Sequence, residues 1–147
     1  MQNIFLADDD ADDRDFFANA LKEINVQTEL ATACDGIELM TTLAETVTDP
    51  PPPHVIFLDL NMPRKNGFEC LREIREAPKL KNIPIVIFST SFNEHEIDKT
   101  FSLGANCYIC KPNTHQKLKQ VIEKVLALNL WENNLRLTRE KFVLAVS

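Results

Sequence analysis

HVIFLD, residues 54–59, sets four apolar residues in a row between a histidine and an acid. A strand with one wet face would alternate, so an unbroken apolar run of this length fits a strand covered on both sides, the kind found in parallel sheets. The same form recurs on either side as IFLA (4–7), PIVIFS (84–89) and NCYIC (106–110), with TELATA (28–33) as a fifth, more polar version. Between these runs lie helical stripes. Phe16, Phe17, Ala20, Leu21 and Ile24 form one, Ile37, Met40, Leu43 and Val47 a second, and Leu118, Val121, Ile122, Val125 and Leu126 a third. Their spacing is that of amphipathic helices. Shorter helices are predicted around 68–74 and 97–101. Strand and helix in strict alternation require right-handed crossovers, and so predict a doubly wound α/β domain: a five-stranded parallel sheet with helices on both faces.

The punctuation agrees. Gly104 follows the stripe that ends at Leu103, Gly67 precedes a helix and Pro84 stands before a strand. The run 50–53, four prolines, suits neither a helix nor a central strand and is read as a stiff surface connector.

The chain has 147 residues, 44% of them hydrophobic. That suits one domain burying roughly 70% of its unfolded surface. Residues 1–128 are expected to form it, with 129–147 as an extension. The extension carries Trp131, Leu135, Leu137, Phe142 and Val143, and side chains this apolar should pack on the domain or on a second copy in a homodimer. A net charge of -6 argues against nucleic acid as a partner. No apolar run approaches the ~18 residues of a membrane span, and the N-terminus lacks the pattern of an export leader. Cys34, Cys70, Cys107 and Cys110 are too scattered for a disulfide framework, so a cytoplasmic protein is expected. Cys107 and Cys110 have metal-like spacing but sit on one strand, where residues three apart face opposite ways. His54, His95 and His115 read as solvated or strand-edge residues without metal or catalytic companions.

All strands of a parallel sheet end at one edge, and ligands of doubly wound folds bind there. Asp8 and Asp9 follow the first strand, Asp59 ends the third, Ser89 ends the fourth and Lys111 follows the fifth. Asp10, Asp12 and Asp13 are explained by capping and by the dipole of the first helix. Asp8, Asp9 and Asp59 are not. Bringing them together costs several kcal/mol of like-charge repulsion unless something compensates. A hard-oxygen set without cysteine or histidine favours Mg²⁺, which keeps waters and accepts a phosphoryl oxygen. Lys111 would pair with Asp59 at rest and with a phosphoryl group afterwards, while the Ser89 hydroxyl would bond a phosphoryl oxygen.

IFLADDD, VIFLDLNMP, IVIFSTS and CYICKP, in that order, resemble the receiver domain of bacterial two-component response regulators, of the stand-alone chemotaxis type. Asp59 precedes Ser89 by 30 positions and Lys111 by 52, and the family pattern fits both intervals without a gap. The resemblance implies the flavodoxin-like strand order 2-1-3-4-5 and a phosphoacceptor at Asp59, fed by a sensor histidine kinase or a histidine phosphotransfer protein. It implies that Asp9 and Asp59 ligate Mg²⁺ directly, Asp8 through water and Asn61 through its main-chain carbonyl. Lys111 would hold the phosphoryl group, with a cis peptide to Pro112. Ser89 and Tyr108 would form the switch, the ring moving inward as the hydroxyl is drawn to the phosphoryl group. Asn61 and Ser91 would tune the phosphoryl lifetime. Such a protein is not an enzyme in the usual sense, although it catalyses its own phosphoryl transfer and dephosphorylation, and its output is a contact with a downstream protein target.

Alternatives stand beside this reading. Within the class, the protein would serve as a phosphorelay intermediate or a phosphate sink. Outside it, a Mg²⁺-dependent aspartyl phosphatase of the haloacid dehalogenase type uses a similar strand-end aspartate, but Asn61 stands where those enzymes usually have a second acid. A flavin or nucleotide binder is weaker, because three glycines leave no phosphate-cradling loop.

Overall fold

The computed structural model describes residues 2–48, 53–133 and 136–144, and Val47, Thr48 and Asn133 by their backbone alone. Most of the proline run and Leu135 lie outside the described residues. Strands β1 (Gln2–Ala7), β2 (Thr28–Ala33), β3 (Val55–Leu58), β4 (Ile85–Ser89) and β5 (Cys107–Cys110) alternate with helices α1 (Ala11–Lys22), α2 (Gly36–Thr48), α3 (Gly67–Glu76), α4 (Glu94–Ser102) and α5 (His115–Ala127). A short α6 (Leu130–Asn133) and β6 (Val143–Leu144) follow. The sheet is parallel, in the order β2-β1-β3-β4-β5-β6. Strand order therefore reverses between β1 and β3, and the strand-end acids flank that point.

The four-residue β3 is buried throughout, as its unbroken apolar sequence requires, whereas β2 at the sheet edge is mostly half-buried or exposed. Two apolar layers sandwich the sheet. Phe17, Ala20 and Leu21 of α1 join Leu118, Val121, Ile122 and Val125 of α5 over one face. Leu39 and Leu43 of α2, Leu71 and Ile74 of α3 and Ile97 of α4 cover the other. The helix boundaries follow local chemistry. Asn66 and Glu69 form a reciprocal capping box on α3, and Gly104, at φ 99°, takes the left-handed turn that ends α4.

Two expectations are corrected. The sheet has six strands rather than five, because the extension returns to the open edge of β5 and pairs Tyr108 with Val143 and Ile109 with Leu144. An unpaired edge exposes backbone donors and acceptors, and the fully buried Phe142 supplies apolar area to hold the added strand. The buried stripe of α2 is also shifted. Ile37 is 47% exposed, while Leu39 and Leu43, four apart, face the core with Met40 at its margin. Gly36 opens the helix tight against Lys65, where an added Cβ would come within 2.2 Å of the Lys65 carbonyl oxygen.

The start of α3 bears on the strand-end edge directly. A Cβ at Gly67 would stand 2.3 Å from the carbonyl oxygen of Asp59 and 2.8 Å from Cα of Leu60. Backbone cannot yield as a flexible side chain can, so Gly67→Ala should lower stability by about 2–3 kcal/mol in urea titrations. It should also weaken divalent-cation binding, because the clash displaces the residue that carries the central carboxylate.

Candidate functional site

Main-chain bonds continue the sheet pattern one residue past the strands and so fix the acids. The Asp8 N–H donates to Ala33 O at 3.0 Å, the Asp59 N–H to Ala7 O at 3.0 Å and the Lys111 N–H to Ser89 O at 2.8 Å. One carboxylate oxygen from each of Asp8, Asp9 and Asp59 lies within 4.8 Å of the others. Asp8 is fully buried, Asp59 is 6% exposed and Asp9 faces solvent. Among the described residues no other three acid, histidine or cysteine side chains gather in this way. The donor set is all oxygen and predominantly anionic, which fits a hard divalent cation.

Lys111 enters this cluster from the end of β5. Its Nζ lies 2.7 Å from Asp8 Oδ2, 2.9 Å from Asp13 Oδ2 and 3.2 Å from Asp59 Oδ2. The expected pair with Asp59 is therefore the longest of three, and Asp8 is the nearest partner. Asp10 caps α1, accepting from the Asp12 and Asp13 N–H groups, and Asp13 stands in the acidic first turn as expected, but its side chain also reaches back to Lys111. The signal was available in principle, since α1 starts at the same sheet edge as the acids and its first turn faces them.

Four carboxylates against one ammonium leave the cluster strongly negative. Burial pushes the Asp59 carboxyl up to about 6, with the Asp8 charge adding, while Lys111 and the Asn61 N–H oppose it. For Lys111, burial works to lower the pKa, but hydrogen bonds to Asp8 and Asp13 and the charge of Asp59 raise it overall. The ammonium thus stays charged, and the carboxylates await more positive charge than it provides.

Ser89, Ser91 and Tyr108 form a second group beside the first, joined to it by the Lys111–Ser89 main-chain bond. The buried Ser89 Oγ accepts from the Ser91 N–H at 3.2 Å, and the Tyr108 hydroxyl donates to Ser91 O at 2.8 Å. Ser91 Oγ turns to α4, donating to Glu96 at 2.9 Å. Asn61 is exposed beside the acids, its N–H 3.4 Å from Asp59 Oδ1. Sequence reading passed over Asp35 and Arg64. The nearly buried Asp35 caps α2 through the Glu38 N–H and pairs with Arg64 at 3.0 Å. Arg64 sits at φ 65°, so this pair holds a strained residue in the loop that follows Asp59.

His54 accepts from the Asn3 N–H and meets Trp131 edge-on, and His115 faces Glu23. All four cysteines are free thiols. Among the described residues no helix is long and apolar enough to cross a membrane.

Comparison with known proteins agrees with this geometry. The family model of the response regulator receiver domain matches residues 4–123. Response regulator Rcp1 of Synechocystis sp. is 34% identical over 124 residues, 83% of this chain and 84% of that protein. Chemotaxis protein CheY1 of Helicobacter pylori is 29% identical over 126 residues, 86% of this chain and 98% of its own. Among solved structures, the phosphorylated cyanobacterial phytochrome response regulator RcpA superposes with a TM-score of 0.78 at 36% identity, covering 90% of this chain and 95% of RcpA. The Mn²⁺-bound form of Rcp1 gives a TM-score of 0.77 at 31% identity, covering 94% of this chain and 99% of Rcp1. The chain belongs to the response regulator receiver domain family, two-component signalling proteins that bind a divalent metal and receive phosphoryl groups from histidine kinases.

Proposed function

We propose that this chain accepts a phosphoryl group on Asp59 from the phosphohistidine of a sensor histidine kinase or histidine phosphotransfer protein, with Mg²⁺, and thereby changes its contacts with a downstream protein in the cytoplasm. The observation that carries the reading is the Asp59 carboxylate itself, nearly buried, beside Asp8 and Asp9 and 3.2 Å from the Lys111 ammonium. Asp8, Asp9, Asp59 and the Asn61 main-chain carbonyl would hold the cation. When bound, it would offset the negative charge that otherwise opposes an approaching phosphoryl group.

An Asp59 carboxylate oxygen attacks phosphorus, so that a P–O bond forms as the P–N bond to the donor imidazole breaks. The electron pair leaves on the imidazole nitrogen, and the product is an acyl phosphate on Asp59. Lys111 gives up its long contact with Asp59 and pairs with a phosphoryl oxygen, keeping Asp13 as a second partner. The Ser89 hydroxyl, which now accepts from Ser91, still has its own proton to donate to the phosphoryl group. Dephosphorylation reverses the charge change by attack of water on the acyl phosphate, with Asn61 and Ser91 tuning its rate from positions flanking Asp59 and Ser89. The added charge of about -1.5 to -2 then selects a different arrangement of β4, α4 and β5. Residues 1–128 carry this chemistry in the reading, and 129–147 extend it.

Intact-mass spectrometry after incubation with acetyl phosphate and Mg²⁺ tests the proposal. One phosphoryl adduct, mapped to the peptide containing Asp59 and lost in EDTA, is expected. No adduct under conditions that label another receiver domain would overturn it.

A further inference from the structure

Tyr108 is fully buried, with its hydroxyl bonded to Ser91 O. The ring position has a local cause. Tyr108 lies against Phe142 with ring centroids 6.3 Å apart, and its N–H donates to Phe142 O at 2.9 Å. Phe142 is itself fully buried and packs edge-on against Phe101 of α4 at 5.2 Å.

Charged contacts fasten the same segment to α4. Arg139 bonds Asp98 at 2.8 Å and Glu94 at 3.0 Å, while the Arg136 guanidinium donates to Phe101 O and lies 4.4 Å from that ring. Beyond Phe142, Val143 and Leu144 take the free edge of β5, with Val143 paired to Tyr108. Phe142 and Val143 thus stand against the ring and the backbone of Tyr108. The tyrosine hydroxyl in turn holds the carbonyl of Ser91, whose N–H is bonded to Ser89. A continuous chain of contacts runs from Phe142 to the Ser89 hydroxyl.

We infer that Phe142 is a positioning residue for the Ser89–Tyr108 pair: docking of residues 136–144 holds Tyr108 inward, so docking and phosphorylation favour each other. The inference rests on the proposed roles of Asp59, Ser89 and Tyr108. Coupling is reciprocal. If the phosphorylated state needs Tyr108 inward and the docked segment holds it there, releasing the segment weakens phosphoryl binding by the factor through which phosphorylation strengthens docking. This regulation is built into the chain, with its own C-terminal strand as the ligand of the switch.

Affinity for beryllofluoride, a phosphoryl mimic, can be measured by calorimetry with saturating Mg²⁺ on the full chain. Phe142→Ala should weaken it at least about five-fold, the lower end of usual coupling. Arg139→Ala removes only half-exposed ion pairs, leaves the core intact and should weaken it less but in the same direction. Hydrogen exchange at residues 142–144 of the wild type should slow when beryllofluoride binds. The effect of Phe142→Ala on affinity should vanish in a Tyr108→Ala background, although its cost in stability should remain. A merely structural role would leave affinity unchanged in folded Phe142→Ala and Arg139→Ala proteins, and that result, or an undiminished effect without Tyr108, overturns the inference. A wild type that takes neither acetyl phosphate adduct nor beryllofluoride overturns the proposed function and the inference together, which separates the two failures.

Discussion

Asp59→Asn protein should take up no phosphoryl group from acetyl phosphate and, in EDTA, should unfold at higher urea than the wild type. The first effect follows from the loss of the nucleophilic oxygen, the second from the electrostatics of the site. Asp59 is nearly buried beside Asp8, and its carboxyl is pushed from 3.8 up to about 6. A shift of that size corresponds to roughly 3 kcal/mol against the ionised form. Asparagine keeps the shape and discards the charge, while Lys111 retains Asp8 and Asp13. A gain of about 1–3 kcal/mol is expected. The pH dependence has a definite sign. Between about 4 and 6 the folded wild type binds the Asp59 proton more tightly than the unfolded chain, so cation-free stability falls as pH rises through that window. The asparagine variant should lack this component, and saturating Mg²⁺ should offset it in the wild type. Equal urea midpoints for the two proteins at pH 7 in EDTA would show that the carboxylate is not held at an electrostatic cost.

Some parts of this molecule were legible in the sequence because a single physical pattern specifies them. Apolar runs such as HVIFLD can satisfy backbone and side chains together only inside a covered sheet, and the parallel sheet then dictates that Asp8, Asp59, Ser89 and Lys111 share an edge. What escaped depended on distances that periodicity does not encode. The core face of α2 carries Leu39 and Leu43 while Ile37 is exposed, a choice set by packing against other elements that periodicity alone leaves open. Asp13 looked like one more helix-terminus acid, because sequence gives the position of a side chain along α1 but not its reach to a lysine 98 residues away. Asp35 and Arg64 come from different loops, and no local pattern pairs them. The extension was legible as apolar but not as a strand. Two residues of ladder are too short to show alternation, and Phe142 is explained only by the tyrosine and phenylalanine it meets.

Lys111→Met should produce opposite changes in two quantities that a general folding defect would move together. The ammonium is the only cation in contact with Asp8, Asp13 and Asp59 among the described ion pairs of the cluster, and Asp8 has no solvent exposure. Methionine fills similar space without charge, so in EDTA the variant should lose about 3 kcal/mol, the usual scale for stranding a buried charge, with proton uptake by the carboxylates limiting the loss. The same change removes a competitor for the carboxylates. Divalent-cation affinity should therefore rise, and a given Mg²⁺ concentration should raise the melting temperature more in the variant than in the wild type, because a ligand of the folded state stabilises it with the logarithm of one plus the ratio of its free concentration to its Kd. Phosphoryl uptake should fall at the same time by about 100-fold or more, the scale for losing a placed charge-stabilising donor at a reacting centre. Calorimetric Mg²⁺ titration and the initial rate of adduct formation measure the pair. Tighter Mg²⁺ binding with slower phosphorylation separates the two tasks of Lys111, holding the acids together at rest and holding the phosphoryl group afterwards. If both quantities fall, the lysine is needed mainly to keep the edge folded, and its proposed bond to the phosphoryl group loses its support.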